Sequence, residues 1–176
     1  LFAPALLAAA LTAAGCGAAT PALTQPDRGN AALSTSDGGE LAPLFQVALL
    51  DGTTFDLAEH LSRDGRPVVL SLWTPDCAEC LEEMPGFQEA SRRHPEVLIL
   101  GIALAGDAAA CSAAAAAAGA GYLLGIDTEG LVAAAFPAPQ LPATFLIDGA
   151  GNLVGVVHEP LDPAALDQLI ARHLSG

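Results

Sequence analysis

Four side chains of this chain can exchange a bond between sulfur atoms: Cys16, Cys77, Cys80 and Cys111. Two stand close together, in Cys77-Ala78-Glu79-Cys80. Disulfide exchange begins when a thiolate attacks one sulfur of a disulfide and forms a mixed disulfide. A second thiol three residues along a helix lies one turn deeper and can attack that mixed disulfide intramolecularly, which makes release fast. The spacing assigns attack to Cys77 and release to Cys80. Four cysteines could instead make two structural disulfides, but the other two sit in quite different surroundings. A structural zinc site needs four Cys or His ligands at compatible spacing. There is no second close Cys pair and no nearby His pair, so no metal and no cofactor are expected. His60, His94, His158 and His173 are scattered and read as surface or edge residues.

The surrounding elements must place the pair at a helix start. Arg66-Pro67 leads into Val68 to Trp73, an apolar and β-branched run suited to a central strand covered on both faces. Residues 78–93 follow as a helix. Leu81, Met84 and Phe87 recur at near-helical spacing, and Pro85 removes a backbone donor, so a kink is expected there. Cys77 then falls at the helix N-terminus, where unpaired N–H groups and the helix dipole favour a thiolate and lower its pKa. Asp76 and Glu79 act in the opposite sense, since negative charge beside a thiolate disfavours it. The expected poise is nearer the reducing end than that of a strong disulfide donor.

The rest of the chain alternates strands and helices. Leu44 to Leu50 and Thr53 to Phe55 flank Asp51-Gly52, a hairpin signal. Asp56 can cap a short helix through His60. Val97 to Leu104 is a second buried-strand run. Asp107 caps an Ala-rich helix that Gly119 and Gly121 stop. On that helix Cys111 shares a face with Ala114, Ala115 and Ala118 and reads as a buried, inert thiol. Tyr122 to Ile126 is a short strand. Asp127 and Thr128 open a helix with Leu131, Val132, Ala135 and Phe136 on one face. Thr144 to Asp148 and Leu153 to His158 form a hairpin around Gly149 to Asn152. Asp162-Pro163 starts a last helix with Leu166, Leu169, Ile170 and Leu174 as its buried stripe. Alternation argues for parallel pairing, and the closing hairpin adds antiparallel strands. The expected fold is α/β: a mixed central sheet with helices on both faces and an N-terminal β-hairpin.

Residues 1–14 are uncharged and apolar, too short to span a bilayer comfortably, and they fit the apolar region of a secretory signal. Ala13-Ala14-Gly15-Cys16 resembles a bacterial lipoprotein cleavage site. Cys16 would then be lipidated and would tether the protein to a membrane. Ordinary signal cleavage near the same small residues is the alternative. The expected organisation is a signal segment over 1–16, a flexible linker over 17–40, and one domain over 41–176. An exported domain, periplasmic or at the outer face of the cell envelope, sits where disulfide chemistry is possible. The chain carries 20 acidic and 6 basic residues, all arginine, for a net charge of −14. Such a surface repels phosphate backbones, which argues against a nucleic-acid partner. Taken from sequence alone, the charge is a statement about solubility.

Three motifs resemble the thioredoxin-like superfamily, and within it the exported reductases of the TlpA/ResA type. They are Trp73 with Cys77-Ala78-Glu79-Cys80, then Leu81-Glu82-Glu83-Met84-Pro85, then Leu141-Pro142-Ala143-Thr144-Phe145-Leu146-Ile147-Asp148. The resemblance spans residues 44–174. It implies a redox-active Cys77–Cys80 disulfide acting on protein thiols and disulfides, with an electron donor that the sequence does not name. It implies that Pro142 is cis and faces the disulfide, that Leu141 offers its backbone to an incoming chain, and that Trp73 shields the site. It implies that Glu83 moves the proton of Cys80. Many thioredoxins carry a buried Asp two residues before this Trp; here it is Ser71, which leaves Glu83 as the acid–base group. The substrate suggested by analogy is apocytochrome c or another exported thiol protein.

Two other readings compete. Thr74-Pro75-Asp76-Cys77 has the Thr-x-x-Cys spacing of peroxiredoxin-type thiol peroxidases, although Leu70 stands where that family has Pro. Arg63, Arg66, Arg92 or Arg93 would have to approach Cys77 to activate peroxide. A non-catalytic metal or haem chaperone is the reading from another class. Copper carriers of this fold use a wider Cys spacing and a partner His. Haem attachment needs His directly after the second Cys, where Leu81 stands.

Overall fold

The computed structural model describes residues 39–175. The proposed signal segment, Cys16 and nearly all of the linker lie outside them. The elements in order are β1 (Gln46–Leu49), β2 (Thr54–Asp56), α1 (Leu57–Arg63), β3 (Val68–Trp73), α2 (Ala78–Arg93), β4 (Leu98–Ala103), α3 (Ala108–Ala117), β5 (Leu123–Ile126), α4 (Leu131–Ala135), β6 (Ala143–Ile147), β7 (Leu153–Val157) and α5 (Pro163–His173). The strands form one seven-stranded sheet in the order β2-β1-β5-β4-β3-β6-β7. β3, β4 and β5 run parallel, while β6 lies antiparallel to β3 and β7 antiparallel to β6. At the other edge the hairpin β1–β2 joins antiparallel to β5. The hairpin turns at Gly52, which has a φ of 89°.

β3 sits between β4 and β6, and all six of its residues are buried. Its side chains alternate between two cores. Val68, Leu70 and Leu72 face Leu57 of α1, Val132 of α4 and the N-terminal hairpin. Val69 packs with Phe87 of α2 and Leu166, Leu169 and Ile170 of α5, and Trp73 packs with Cys80 and Met84 of α2 and Cys111 of α3. Helices therefore cover both faces, with α2, α3 and α5 on one side. Asp56, Asp107 and Asp162 each cap a helix, accepting N–H bonds from Glu59, Ala110 and Ala165. Ahead of β1, Ala42 N–H donates to Gly151 O at 2.9 Å, which ties the start of the domain to the β6–β7 turn.

Two expectations are corrected. The helix after Asp127 starts later, at Leu131, because Gly130 takes a left-handed φ of 71° and ends the turn before it. Asp127 still serves that helix, accepting the N–H of Ala133 at 2.8 Å. Leu131 is 58% exposed rather than part of the buried face. The histidines, expected at the surface or at edges, are all partly buried. His60, in α1, has its Nε2 2.9 Å from Arg66 O, and the ring nitrogens His158 Nδ1 and His173 Nε2 are buried.

Candidate active site

The site is built where β3 ends and α2 begins. Trp73 closes β3, and its carbonyl accepts the N–H of Leu104 at 2.9 Å, so the strand stays paired with β4 to its last residue. A tight turn follows: Cys77 N–H donates to Thr74 O at 3.1 Å. Cys77 is the N-cap of α2, and the N–H of Cys80 points at Cys77 Sγ at 3.2 Å. That donor, together with the helix dipole, favours negative charge on Cys77 sulfur when the bond is open. Cys77 and Cys80 form a disulfide, with their Cα atoms 5.3 Å apart. Cys77 is half-buried, whereas Cys80 is 1% exposed. The outer sulfur alone is open to an incoming disulfide.

Glu83 lies one turn below Cys80 on the same helix face. It is 6% exposed, an unusual setting for a carboxylate. Its Oε2 accepts the N–H of Leu161 at 3.0 Å, and its Oε1 has no partner. Burial pushes its pKa up from 4.5 to about 7, and the Leu161 N–H pulls the other way. A carboxyl near neutrality beside a buried thiol can both take and return a proton. Asp76 differs. It is exposed, and a hydrogen bond from Thr74 holds its pKa below the usual carboxylate range.

Leu141–Pro142 is a cis peptide bond. Leu141 is half-buried and packs against the cluster that holds Trp73, Cys80 and Met84. Pro142 is buried. Trp73, expected to shield the site, has no exposed surface, so it packs beneath the disulfide and offers a substrate no face. Ser71 is buried and pairs with Gly101 and Thr144 on the neighbouring strands.

Two residues near the site were not singled out from sequence as parts of it. Gly106, with a φ of 94°, is pressed between Pro75 and Cys111: a Cβ there would lie 3.1 Å from Pro75 Cγ and 3.3 Å from Cys111 Sγ. Its lack of a side chain lets the β4–α3 loop pack closely against Pro75, in the turn that leads into the disulfide. Leu161, 78 residues from Glu83, supplies that carboxylate's hydrogen bond. No local signal marks a backbone N–H. The arginines considered for peroxide activation do not approach Cys77. Arg66 precedes β3 and donates to Pro95 O at 3.0 Å, and Arg92 and Arg93 end α2. A helix of 16 residues is about 24 Å long, which separates them from its first turn. Arg63 closes α1 and pairs with Glu59.

A thioredoxin-like fold with the Cys77–Cys80 disulfide at the start of α2 makes this protein a thiol–disulfide oxidoreductase. The chain belongs to the AhpC/TSA family, whose profile matches residues 39–156. The soluble secreted antigen MPT53 of Mycobacterium tuberculosis is 30% identical over 128 residues, covering 73% of this chain and 72% of the relative. The thiol:disulfide interchange protein DsbE of Yersinia pestis is 28% identical over 116 residues, 64% of this chain and 60% of that one. The crystal structure of a secreted M. tuberculosis disulfide oxidoreductase, homologous to E. coli DsbE, superposes with a TM-score of 0.64 at 27% identity, covering 72% of this chain and 94% of the other. These likenesses agree with the resemblance carried by the three sequence motifs.

Proposed function

We propose that this protein is an exported reductase of protein disulfides in which Cys77 attacks, Cys80 resolves and Glu83 moves the proton. The observation that supports it is the pairing of a half-exposed Cys77 at the N-cap of α2 with a buried Cys80 above a buried Glu83. In the reduced protein the Cys77 thiolate attacks a substrate disulfide. A Cys77–substrate bond forms and the first substrate sulfur leaves as a thiolate, which takes a proton from water. Cys80 then passes its proton to ionised Glu83 and attacks Cys77 Sγ. The Cys77–Cys80 bond forms and the second substrate sulfur leaves. Two electrons have moved from the protein to the substrate. Leu141, the half-exposed neighbour of Pro142, is placed to meet the incoming chain. Export, a lipid on Cys16 and an exported thiol protein such as apocytochrome c as substrate belong to the same reading. The secreted character of the M. tuberculosis relatives supports export.

The test is capture in cells. Cys80→Ser should hold substrates as mixed disulfides on Cys77, and Cys77→Ser should hold none. Failure of Cys80→Ser to trap any protein, with a native disulfide that ordinary dithiols cannot open, would sink the reading. Peroxide consumption that survives Cys80→Ser but not Cys77→Ser would transfer it to a thiol peroxidase.

A further inference from the structure

The topology sorts the charges of this molecule into two ends. β3 delivers the chain to Cys77, and α2 carries it back from there. Arg63, Arg66, Arg92, Arg93 and Arg172 stand at the far end: in the last turns of α1, α2 and α5, or just before β3. Their acidic neighbours are there too, for Arg63 pairs with Glu59, Arg66 with Asp64 and Arg93 with Asp167. At the disulfide end stand Asp76, Glu79, Glu82, Glu83 and Asp162, and no described arginine lies at that end. That end therefore carries an excess of carboxyls, whereas at the far end three of the arginines pair with carboxyls.

That end also holds a groove of about 390 Å³ between the first turns of α2 and the segment leading into α5. Glu79, Glu82 and Asp162 form its charged rim, and Pro85, Pro160 and Pro163 its apolar walls. Glu83 is set into the lining, buried, with Oε1 unpartnered. Apolar walls under an anionic rim fit a long basic side chain, whose aliphatic stem lies on the prolines while its head meets carboxylates. An acidic or neutral side chain would leave the rim uncompensated.

We propose that the disulfide end is a docking face for polypeptides that carry arginine or lysine beside their cysteine, one such side chain occupying the groove next to Glu82 and Asp162. This rests on the thiol–disulfide oxidoreductase reading and adds its substrate class. A field of one sign at a reactive face raises the encounter rate with a partner of the other sign and weakens as salt screens it.

The test uses the reduced protein and three synthetic peptide disulfides that differ only beside the cysteine, where they carry Arg, Ala or Glu. Stopped-flow exchange is followed at about 20 mM and about 0.3 M salt. At low salt the Arg peptide should react about tenfold or more faster than the Ala peptide, and the Glu peptide more slowly. High salt should shrink that ratio severalfold. Glu82→Gln combined with Asp162→Asn should also shrink the Arg-to-Ala ratio; Asn keeps the helix cap that Asp162 makes with Ala165. Glu96→Gln, at the far end, should leave the ratio unchanged. Equal rates for the three peptides at low salt, with Ala-peptide exchange intact, would overturn this proposal and leave the oxidoreductase reading standing. Exchange with no peptide at all would overturn both.

Discussion

The backbone N–H of Leu161 donates to Oε2 of Glu83 at 3.0 Å, across 78 residues of sequence. This one bond holds the carboxylate of α2 against the segment that enters α5, and among the described residues it is the one hydrogen bond that this buried carboxyl accepts, its Oε1 having no partner.

The buried carboxyl makes folding depend on pH. In the unfolded chain Glu83 ionises near 4.5, and in the folded protein near 7. Between those values the unfolded state has released a proton that the folded state keeps. Stability is then full below the lower value and is lost as pH rises through the upper one. The loss is about 1–3 kcal/mol. Glu83→Gln keeps an acceptor for Leu161 and removes the titration. Denaturant unfolding of the oxidised proteins should show the variant gaining on the wild type between about pH 5 and about pH 8. A difference that stays constant with pH would contradict the assignment.

The same group sets the release step. With Glu83 as proton acceptor, the rate at which Cys80 displaces a mixed disulfide on Cys77 should rise through an inflection near pH 7. Glu83→Gln should lose that inflection and slow release about tenfold or more, while the first attack by Cys77 changes little. Quenched-flow measurement of mixed-disulfide lifetime separates the two steps. An unchanged lifetime in the variant would assign the proton to another group.

Much of this site was legible in the chain. The Cys77–Cys80 spacing, the apolar run ending at Trp73 and the three-residue step from Cys80 to Glu83 are local patterns, and strand and helix geometry turns each into a position. Pro142 was reached through its motif. What escaped was whatever depends on two distant segments meeting. Leu161 contributes only a backbone N–H, which no sequence marks. The charge segregation needed the topology, because Arg92 and Glu79 lie on one helix yet at opposite ends of the molecule. Trp73 was expected to shield the disulfide, but α2 and α3 cover it completely. Leu131 fell outside the core because Gly130 delays the start of α4.

Cys111 should be chemically silent in the native protein. It has no exposed surface, its Sγ lies 3.4 Å from Ala105 O, and burial pushes its thiol pKa up, with Asp107 adding to the effect. After mild reduction, iodoacetamide followed by mass spectrometry should modify Cys77 within minutes and leave Cys111 unmodified until denaturant is added. Rapid native labelling of Cys111 would show that α3 opens and exposes the floor of the site.

The α2 face of the sheet carries a polar atom with no evident use, and it yields the sharpest packing test. Tyr122 is buried, its ring centroid is 6.2 Å from that of Phe87, and its hydroxyl has no partner. Its ring fills the space above Gly101, where a Cβ would lie 3.1 Å from Tyr122 Cε2 and 2.8 Å from Leu124 Cδ2. An unpaired buried hydroxyl costs stability, and its removal at constant shape is neutral or favourable. Tyr122→Phe should therefore match the wild type or gain about 1–2 kcal/mol in urea unfolding. Gly101→Ala should lose about 1–3 kcal/mol, because the added methyl meets Leu124 Cδ2 first and the Tyr122 ring next, both too close for an ordinary contact. The double variant should recover little of that loss, since Leu124 Cδ2 and the ring carbon that crowd the methyl both remain when tyrosine becomes phenylalanine. If Tyr122→Phe instead lost more than about 1 kcal/mol, the hydroxyl would be bonded, and Glu83, whose charge already acts on Tyr122, would be its partner.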